Sequence, residues 1–373
     1  MKRLLLSALL GAGLSSPSIA EEISVAAWNV ETFHFFGTCA EINAQGRCDE
    51  RTSSGSSPSV AAVALRDDFH KFDVIAFSEV AGEEEAETFA VVADEDENAD
   101  YRHLVGDSGR NIRVAMIFSA ERLDLLESGE LDFASTSGGS RKPLAAKLRT
   151  KGDGTEFWVV AVHLTRGQTR NDGSGSGDLR NDAQSEELRA WIEAQGEPVI
   201  ALGDFNYDVN FENNRRRIGF TTFTENNGPK WIEPDVEIDT NWSGETSDSF
   251  PNSILDFVFL SQSGSDWQSK SVIYQRPGDF PDTWRTADHR PVAAFFETDP
   301  GTPLSVDPID RLPKLIQREQ LVLNRSAGPA PVMQMTAPGS VLDKLAAAER
   351  AELQELSQER SATQMAREIV ASR

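Results

Sequence analysis

Residues 199–206 read VIALGDFN, an apolar run of strand length that ends in two ligand-type side chains. The aliphatic residues 199–202 favour a buried strand. Asp204 and Asn206 lie two positions apart, and such side chains point to the same side of an extended strand. Gly203 allows the backbone to approach a ligand closely. The pair therefore offers a carboxylate and an amide for binding; a simple turn is the alternative, because Asp and Asn favour turns.

Five further segments share this design, in which an apolar run ends in, or encloses, polar residues. They are SVAAWN (24–29), DVIAFSE (73–79), WVVAVH (158–163), ILDFVFL (254–260) and ADHRPV (287–292). Apolar runs of this length fit strands in a two-layer core, and helical patterns over 60–72 and 181–195 lie between some of them. Mixed strand and helix order predicts one α/β sandwich domain over residues 21–299.

The two ends of the chain differ from this domain. Residues 1–20 combine Lys2 and Arg3 with a short apolar run and a small-residue end at Ala20, the pattern of a secretory signal. That run is shorter than the about 20 apolar residues that span a bilayer, so we predict a secreted or periplasmic protein without stable membrane insertion. Residues 300–373 are predicted to form a proline-containing linker and a helical tail, which is either a partner-binding helix or a partly disordered extension.

Cysteine content and charge constrain the possible partners. Cys39 and Cys48 are expected to form a disulfide in an oxidising compartment, since two thiols alone are too few for a metal site. The chain has 36 Lys and Arg against 60 Asp and Glu, a formal net charge of -24. Such a charge opposes attraction of polyanions over the whole surface, but divalent cations and a few local arginines can supply it at one site.

Several of the polar strand-end residues suit metal-binding and acid–base chemistry. Glu79 is the leading candidate magnesium ligand, because Mg²⁺ prefers oxygen ligands; a solvated loop residue is the alternative. Asp288 and His289 form an acid–imidazole pair, and a catalytic imidazole needs a second group to orient it. Asp256, enclosed by apolar neighbours, is placed to do so, or to serve as a cap or salt bridge. His163 is either a catalytic residue or a satisfied core histidine.

The set resembles the motifs of the endonuclease/exonuclease/phosphatase superfamily over about residues 23–297. The residues that carry the resemblance are Trp28, Asn29, Glu79, His163, Gly203, Asp204, Phe205, Asn206, Asp256, Asp288 and His289. It implies a four-layer α/β sandwich, with two packed mixed sheets flanked by helices and the site at one edge. It also implies Mg²⁺ as cofactor, with Mn²⁺ or Ca²⁺ as alternatives, and hydrolysis of a phosphoester by metal-assisted in-line attack of water.

The resemblance also implies roles for the matching residues. Glu79 would be the main metal ligand, with Asn29 and Asp288 near the metal. Asp204 would orient or deprotonate the attacking water, and Asn206 would hold the phosphate. His289, oriented by Asp256, and His163 would stabilise the pentavalent phosphate or donate a proton.

Two positions depart from the family pattern. Many relatives carry Gln before the metal-binding Glu, whereas this chain has Ser78. Some relatives also use a Tyr to contact phosphate before the middle strand; here Arg113 is the candidate for that role, with a salt bridge as the alternative.

Arginines near the site favour a polyanionic substrate, because the guanidinium fork binds phosphate in bidentate fashion. Arg166 and Arg170 follow His163, and three arginines at 215–217 follow Asn206. Ion pairs with the many surface carboxylates are the alternative for each cluster. The leading hypothesis is a secreted Mg²⁺-dependent nuclease that hydrolyses DNA, with RNA as an alternative substrate. A secreted sphingomyelinase-like lipid phosphodiesterase or phosphatase is the alternative, and a non-catalytic binding module is the third.

Overall fold

The computed structural model describes residues 22–30, 72–80, 82–94, 100–109, 112–136, 140–166, 176–209, 218–241, 252–274, 288–300 and 302–304. Several predictions fall on other residues and lie outside this description: the signal over 1–20, the bridge between Cys39 and Cys48, the helix over 60–71, Arg170, the arginines at 215–217 and the tail over 305–373.

Twelve strands in the described part of the chain form two six-stranded sheets. The first sheet has the order β11 (Gln268–Ile273), β12 (Val292–Glu297), β1 (Glu22–Asn29), β2 (Val74–Val80), β4 (Arg113–Ser119) and β3 (Tyr101–Val105). β1 and β2 run parallel, and the other neighbours in this sheet run antiparallel. The sheet is therefore mixed.

The second sheet repeats this plan. Its order is β5 (Leu123–Glu130), β6 (Leu144–Thr150), β7 (Glu156–His163), β8 (Val199–Val209), β10 (Ile254–Leu260) and β9 (Lys230–Trp231). Its parallel pair is β7 and β8, while the other neighbours are antiparallel. Each sheet thus has a parallel pair whose carboxyl ends carry the polar residues predicted from the sequence.

The sheets pack face to face through their central strands, with β1 against β8 and β2 against β7. Helix α1 (Glu83–Ala93) lies on the outer face of the first sheet, where Phe89 stacks on Phe77 with ring centroids 4.3 Å apart. Helix α2 (Ser176–Glu193) lies on the second sheet, where Trp191 packs edge-on against Trp158 at 5.3 Å. Two sheets between helices confirm the predicted four-layer α/β sandwich.

Helix α3 (Ile218–Thr224) completes an aromatic cluster that fixes the GDFN strand. Phe205 packs against Phe223 of α3 at 5.5 Å and against Phe259 of β10 at 4.8 Å. Because side chains alternate along a strand, burial of Phe205 on this face turns Asp204 and Asn206 toward the opposite face. Aromatic packing on the outer face therefore orients the polar pair.

Five of the six quoted segments lie in strands, with small shifts at their ends, and the sixth, 287–292, meets strand β12 only at Val292. The helix predicted over 181–195 corresponds to α2. Helix α1 is not among the helices predicted from the sequence. None of the described helices is long and apolar enough to cross a membrane.

Candidate active site

The candidate site lies where the parallel strands of both sheets end. Asn29 is the last residue of β1 and pairs with Ser78 of β2, next to Glu79. In the second sheet, His163 pairs with Asp204, and Asp204 pairs with Asp256 on its other side. Since β1 packs on β8 and β2 on β7, strand ends far apart in sequence meet at one edge of the sandwich.

Three positions at this edge have left-handed backbone conformations. Glu79 has a φ of 63° at an irregularity in the pairing of β2 with β4, and Asn206 has a φ of 54°. Gly203 has a φ of 132°, and a Cβ there would overlap the carbonyl oxygen of Val162 on β7. Positive φ in residues other than glycine is uncommon and is maintained where surrounding structure dictates it. These conformations turn the polar side chains into the site.

Ser78 has a structural role that the sequence did not reveal. Its hydroxyl donates a hydrogen bond of 3.2 Å to the carbonyl oxygen of Val162 in the opposite sheet. The position before Glu79 thus links the two sheets.

His289 and Asp256 form a buried ion pair. His289 Nδ1 lies 2.7 Å from Asp256 Oδ2, and the Asp256 side chain is fully buried. The backbone N–H of Asp256 donates to the Thr240 hydroxyl at 3.1 Å. Burial alone would lower the pKa of His289, but the carboxylates of Asp256, Asp288 and Asp204 outweigh it and hold that pKa well above its usual value. His289 is therefore a cation, with Nε2 3.8 Å from Asp288 Oδ1 and 3.9 Å from Asp204 Oδ2.

Asp204 is a buried carboxyl whose pKa is raised toward neutral pH. Burial above all, with a smaller contribution from the charge of Asp256, raises its pKa to about 7 against the opposing effects of His289 and of the hydrogen bond from Asn29. Asn29 Nδ2 donates to Asp204 Oδ2 at 3.0 Å, and the backbone N–H of Asn206 donates to Asp204 Oδ1 at 3.0 Å. A general base works best when its pKa lies near the working pH, so Asp204 suits that role.

His163 has the opposite charge state from His289. Its Nε2 lies 3.5 Å from Asp204 Oδ2 and 3.8 Å from Glu79 Oε1. Burial and the positive charges of Arg141, His289 and Arg166 lower its pKa well below the usual value, so the ring is neutral. Two histidines that look alike in the sequence therefore differ by one proton in the fold.

The donor set fits a divalent metal. Asp204, Asp256 and His289 each offer a ligand atom within 4.8 Å of the others, so this buried group could bind such an ion. Asp256 Oδ1 is also buried without a hydrogen-bond partner among the described residues. A protonated His289, however, has no lone pair for a metal, and Asp256 Oδ2 already accepts its proton.

The ligands predicted from the sequence form an oxygen-rich alternative. Asn29 Nδ2 lies 3.4 Å from Glu79 Oε1. Burial raises the pKa of Asp288, His289 opposes this, and the charge of Glu79 adds to it, as expected for neighbouring carboxylates. Hard cations such as Mg²⁺ prefer oxygen ligands and neutralise crowded carboxylates, so Asn29, Glu79 and Asp288 match that chemistry better than the group with His289.

Asn206 and the predicted substrate arginines occupy different parts of the site. The Asn206 side-chain amide donates to the carbonyl oxygen of Leu164 at 3.0 Å, so it fixes the segment after β7. Arg166 lies 3.5 Å from Asn241 Oδ1, and its charge lowers the pKa of Asp204 and Asp288. Arg113 begins β4 and pairs with Val80, one residue beyond Glu79.

Arg141 is a site residue that the sequence reasoning missed. Its Nε donates to the carbonyl oxygen of His163 at 3.2 Å, and its Nη2 donates to that of Leu164 at 3.4 Å. Burial lowers its pKa, while the charges of Glu79 and Asp204 oppose that shift. Among the described residues, no carboxylate forms an ion pair with it and no acceptor binds Nη1. Arg141 precedes a strand instead of following one, so the strand-end pattern did not include it.

Comparison with solved structures identifies the fold. An endonuclease/exonuclease/phosphatase family protein from Bacteroides thetaiotaomicron aligns with a TM-score of 0.52 and 16% identity, over 75% of this chain and 99% of that chain. An endonuclease/exonuclease/phosphatase from Bacteroides vulgatus aligns with a TM-score of 0.50 and 15% identity, over 75% of this chain and 100% of that chain. A humanized D. rerio TDP2 with 14 mutations aligns with a TM-score of 0.50 and 16% identity, over 74% of this chain and 99% of that chain.

No protein-family model and no curated protein matches the sequence. The likeness to the solved structures therefore concerns the fold. It extends over about three quarters of the chain, as the strand-end residues predicted. The chain has the fold of the endonuclease/exonuclease/phosphatase superfamily.

Proposed function

We propose that this protein is a divalent-metal-dependent phosphoesterase that hydrolyses phosphodiesters, with nucleic acid as its substrate. The observation that carries the proposal is the charged His289–Asp256 pair, which faces the buried Asp204 with Nε2 3.9 Å from Asp204 Oδ2. A cationic donor beside a carboxyl that titrates near neutrality supplies both proton-transfer groups that hydrolysis needs. Three oxygen-bearing side chains lie at the same edge.

Asp204 is assigned as the general base that accepts a proton from the attacking water. Its pKa of about 7 allows it to accept a proton near neutral pH, and Asn29 and the Asn206 backbone hold its two oxygens. A divalent metal bound nearby would stabilise the ionised carboxylate and neutralise charge on the phosphoryl group. The proton of the water passes to a carboxylate oxygen of Asp204 as the new oxygen–phosphorus bond forms, while the phosphorus–oxygen bond to the leaving oxygen breaks and that oxygen accepts the Nε2 proton of His289.

The two histidines are assigned the role of donors to the phosphoryl oxygens and to the leaving oxygen. As a cation, His289 donates its Nδ1 proton to Asp256 and also carries a proton at Nε2, which it can donate to developing negative charge. Neutral His163, 3.5 Å from Asp204, contributes a hydrogen bond without adding charge. This division gives each histidine one task.

Arginines at the site support an anionic, phosphate-rich substrate. The charge of Arg141 acts on Glu79 and His163, and the charge of Arg166 acts on Asp204 and Asp288. A chain with a net charge of -24 repels polyanions in general, so local cations must attract the substrate. Two guanidinium groups at one edge fit that requirement.

The proposal is tested by comparing substrates and metals. Purified protein is stripped with EDTA and assayed with and without Mg²⁺ on supercoiled plasmid, single-stranded RNA, sphingomyelin and p-nitrophenyl phosphate. We expect Mg²⁺-dependent nicking of the plasmid that exceeds turnover of the other three. Hydrolysis of sphingomyelin or of the monoester alone would replace the nuclease assignment, and no hydrolysis of any substrate would contradict phosphoesterase function.

Isosteric variants test the assigned roles. Asp204→Asn and His289→Gln should each lower kcat by about 10²–10⁴-fold, the range for loss of a proton-transfer group. Asp124→Asn is the matched control, because Asp124 pairs with Arg149 at 2.9 Å on the exposed surface of β5 and β6. DNA cleavage that survives loss of both Asp204 and His289 would refute the mechanism.

A further inference from the structure

The connection between β5 and β6 carries Arg141 and is attached to the opposite sheet by hydrogen bonds. Glu130, the last residue of β5, accepts two hydrogen bonds through Oε1 from Ser108, at 2.8 Å from the backbone N–H and 2.6 Å from the hydroxyl. Ser108 lies in the turn between β3 and β4 of the first sheet. Its hydroxyl oxygen in turn accepts the backbone N–H of Lys142 at 2.7 Å.

These three residues, Ser108, Glu130 and Lys142, form a chain of hydrogen bonds that we call the brace. The brace fixes the backbone immediately after Arg141. In the second sheet the connection is also closed by the backbone N–H of Leu131, which donates to Pro143 at 2.9 Å. The brace therefore joins the β3–β4 turn of one sheet to the Arg141 connection of the other.

The same turn limits the space available to the Arg141 side chain. Gly109 has a φ of 86°, and a Cβ built there would lie 2.7 Å from Arg141 Cγ. The turn backbone thus contacts the aliphatic part of Arg141 closely, and it leaves no room for a side chain. At the other end, the guanidinium is held by the carbonyl oxygens of His163 and Leu164. Brace, turn and carbonyls restrain Arg141 along its whole length.

We propose that Glu130 is a positioning residue that acts through Ser108 and Lys142 to hold Arg141 where its guanidinium contacts a phosphoryl oxygen of the substrate. The inference rests on the proposed phosphoesterase function. Glu130 itself does not touch the substrate. A guanidinium that is pre-ordered loses less conformational entropy on binding, so the brace increases affinity for phosphate without taking part in the chemical step.

The brace is tested by replacing its acceptor. Glu130→Gln keeps an oxygen at the same position and should retain phosphate affinity within about twofold, whereas Glu130→Ala removes the acceptor and should weaken it by about three- to tenfold, equivalent to one hydrogen bond of modest net strength. Arg141→Ala should weaken it by about tenfold or more, since a hydrogen bond to a charged group is lost. Affinity for inorganic phosphate is measured by calorimetry with Mg²⁺ present, beside kcat and KM.

Asp132→Asn is the matched control. Asp132 pairs with Lys142 Nζ at 2.9 Å in the same connection, so its loss alters a nearby ion pair but leaves the brace in place. Its phosphate affinity should equal that of the unmodified protein. Ser108→Ala breaks the same chain as Glu130→Ala with a smaller change of volume, and it replaces Glu130→Ala if that variant does not fold.

A double-mutant cycle separates positioning from general stability. If Glu130 acts only through Arg141, adding Glu130→Ala to Arg141→Ala should change neither phosphate affinity nor KM further, and kcat of Glu130→Ala should stay within about twofold. If the two substitutions lowered phosphate affinity independently, so that their fold-losses multiplied in the double variant, the proposal would be overturned. Unchanged phosphate affinity in Glu130→Ala or in Arg141→Ala would also overturn it. Because calorimetry with phosphate needs no turnover, these outcomes are distinct from failure of the unmodified protein to hydrolyse any ester.

Discussion

Replacement of Asp204 by Asn should stabilise the metal-free fold at neutral pH while removing activity. Burial raises the pKa of this carboxyl from 3.8 to about 7. Each unit is worth about 1.36 kcal/mol, so ionising Asp204 in the metal-free fold costs about 4 kcal/mol relative to the unfolded chain. An amide at this position is neutral at every pH and avoids that cost.

Part of the gain is lost because the amide does not match all its neighbours. Asn29 Nδ2 and the Asn206 backbone N–H each donate to one carboxyl oxygen, and an Asn at 204 presents only one oxygen. One N–H group would therefore face another, which costs about 1–2 kcal/mol. The net stabilisation expected above pH 7 is about 2–3 kcal/mol.

The effect should depend on pH in a defined direction. Below about pH 4 the carboxyl is protonated in both folded and unfolded chains, so the variant has no electrostatic advantage. From 3.8 to about 7 the unfolded carboxyl ionises and the folded one does not, so the unmodified protein loses stability steadily relative to the variant. Above about pH 7 the difference is constant.

Urea unfolding in EDTA between pH 4.5 and 8 measures this difference. Asp124→Asn is the control with the opposite sign. The hydrogen bond from Arg149 lowers the pKa of Asp124 from 3.8, so its charge stabilises the fold at pH values above 3.8, and the variant should be less stable by a nearly constant amount from pH 4.5 to 8. Saturating Mg²⁺ should reduce the advantage of Asp204→Asn by binding the folded, unmodified protein. A stability difference that does not grow with pH would refute the idea that burial raises this pKa.

Three other substitutions test separate parts of the site. Asp256→Asn should lower kcat by about 10²–10⁴-fold, because His289 loses the charge that keeps it protonated; unchanged kcat in steady-state assays would contradict the orienting role. Gly203→Ala should destabilise the fold by about 3 kcal/mol, measured by urea unfolding, since its φ of 132° and the overlap with Val162 both oppose a Cβ; a loss under about 0.5 kcal/mol would disprove that packing. Glu79→Gln should abolish the rise in melting temperature that Mg²⁺ gives the unmodified protein; an equal rise in both would exclude Glu79 as a ligand.

Much of the fold followed from local patterns. Apolar runs such as 158–162 and 199–202 predicted strands β7 and β8, because buried strands need apolar side chains on both faces. Strands β3, β5, β6, β9 and β11 were not predicted; β5, for example, is largely exposed at a sheet edge and carries three acidic residues in place of an apolar run. Helix α1 was not predicted because its first turn is acidic, which indicates a solvated segment and gives no sign that Phe89 is buried.

The structure brings together residues that the sequence singled out separately, but their mutual contacts could not be predicted. Strand ends that meet in space could be inferred from their shared pattern, as for His163 and Asp204, whose pairing the second sheet provides. Arg141 carries no such pattern, because it reaches the site through carbonyl oxygens that only the fold brings near. The hydrogen bond from Ser78 to Val162 likewise joins the two sheets, so it could not be predicted from the local sequence around either residue.

The sequence by itself determined which segments become buried strands and which polar residues stand at their ends, because both depend on neighbours within a few positions. Only the tertiary structure decided the charge of those residues. His289 lies among Asp256, Asp288 and Asp204 and is protonated, whereas His163 lies near Arg141 and Arg166 and is neutral. The pKa of a buried group depends on charges within a few ångströms in space, and several of these come from other parts of the chain, such as Asp204 and Asp256 for His289 and Arg141 for His163.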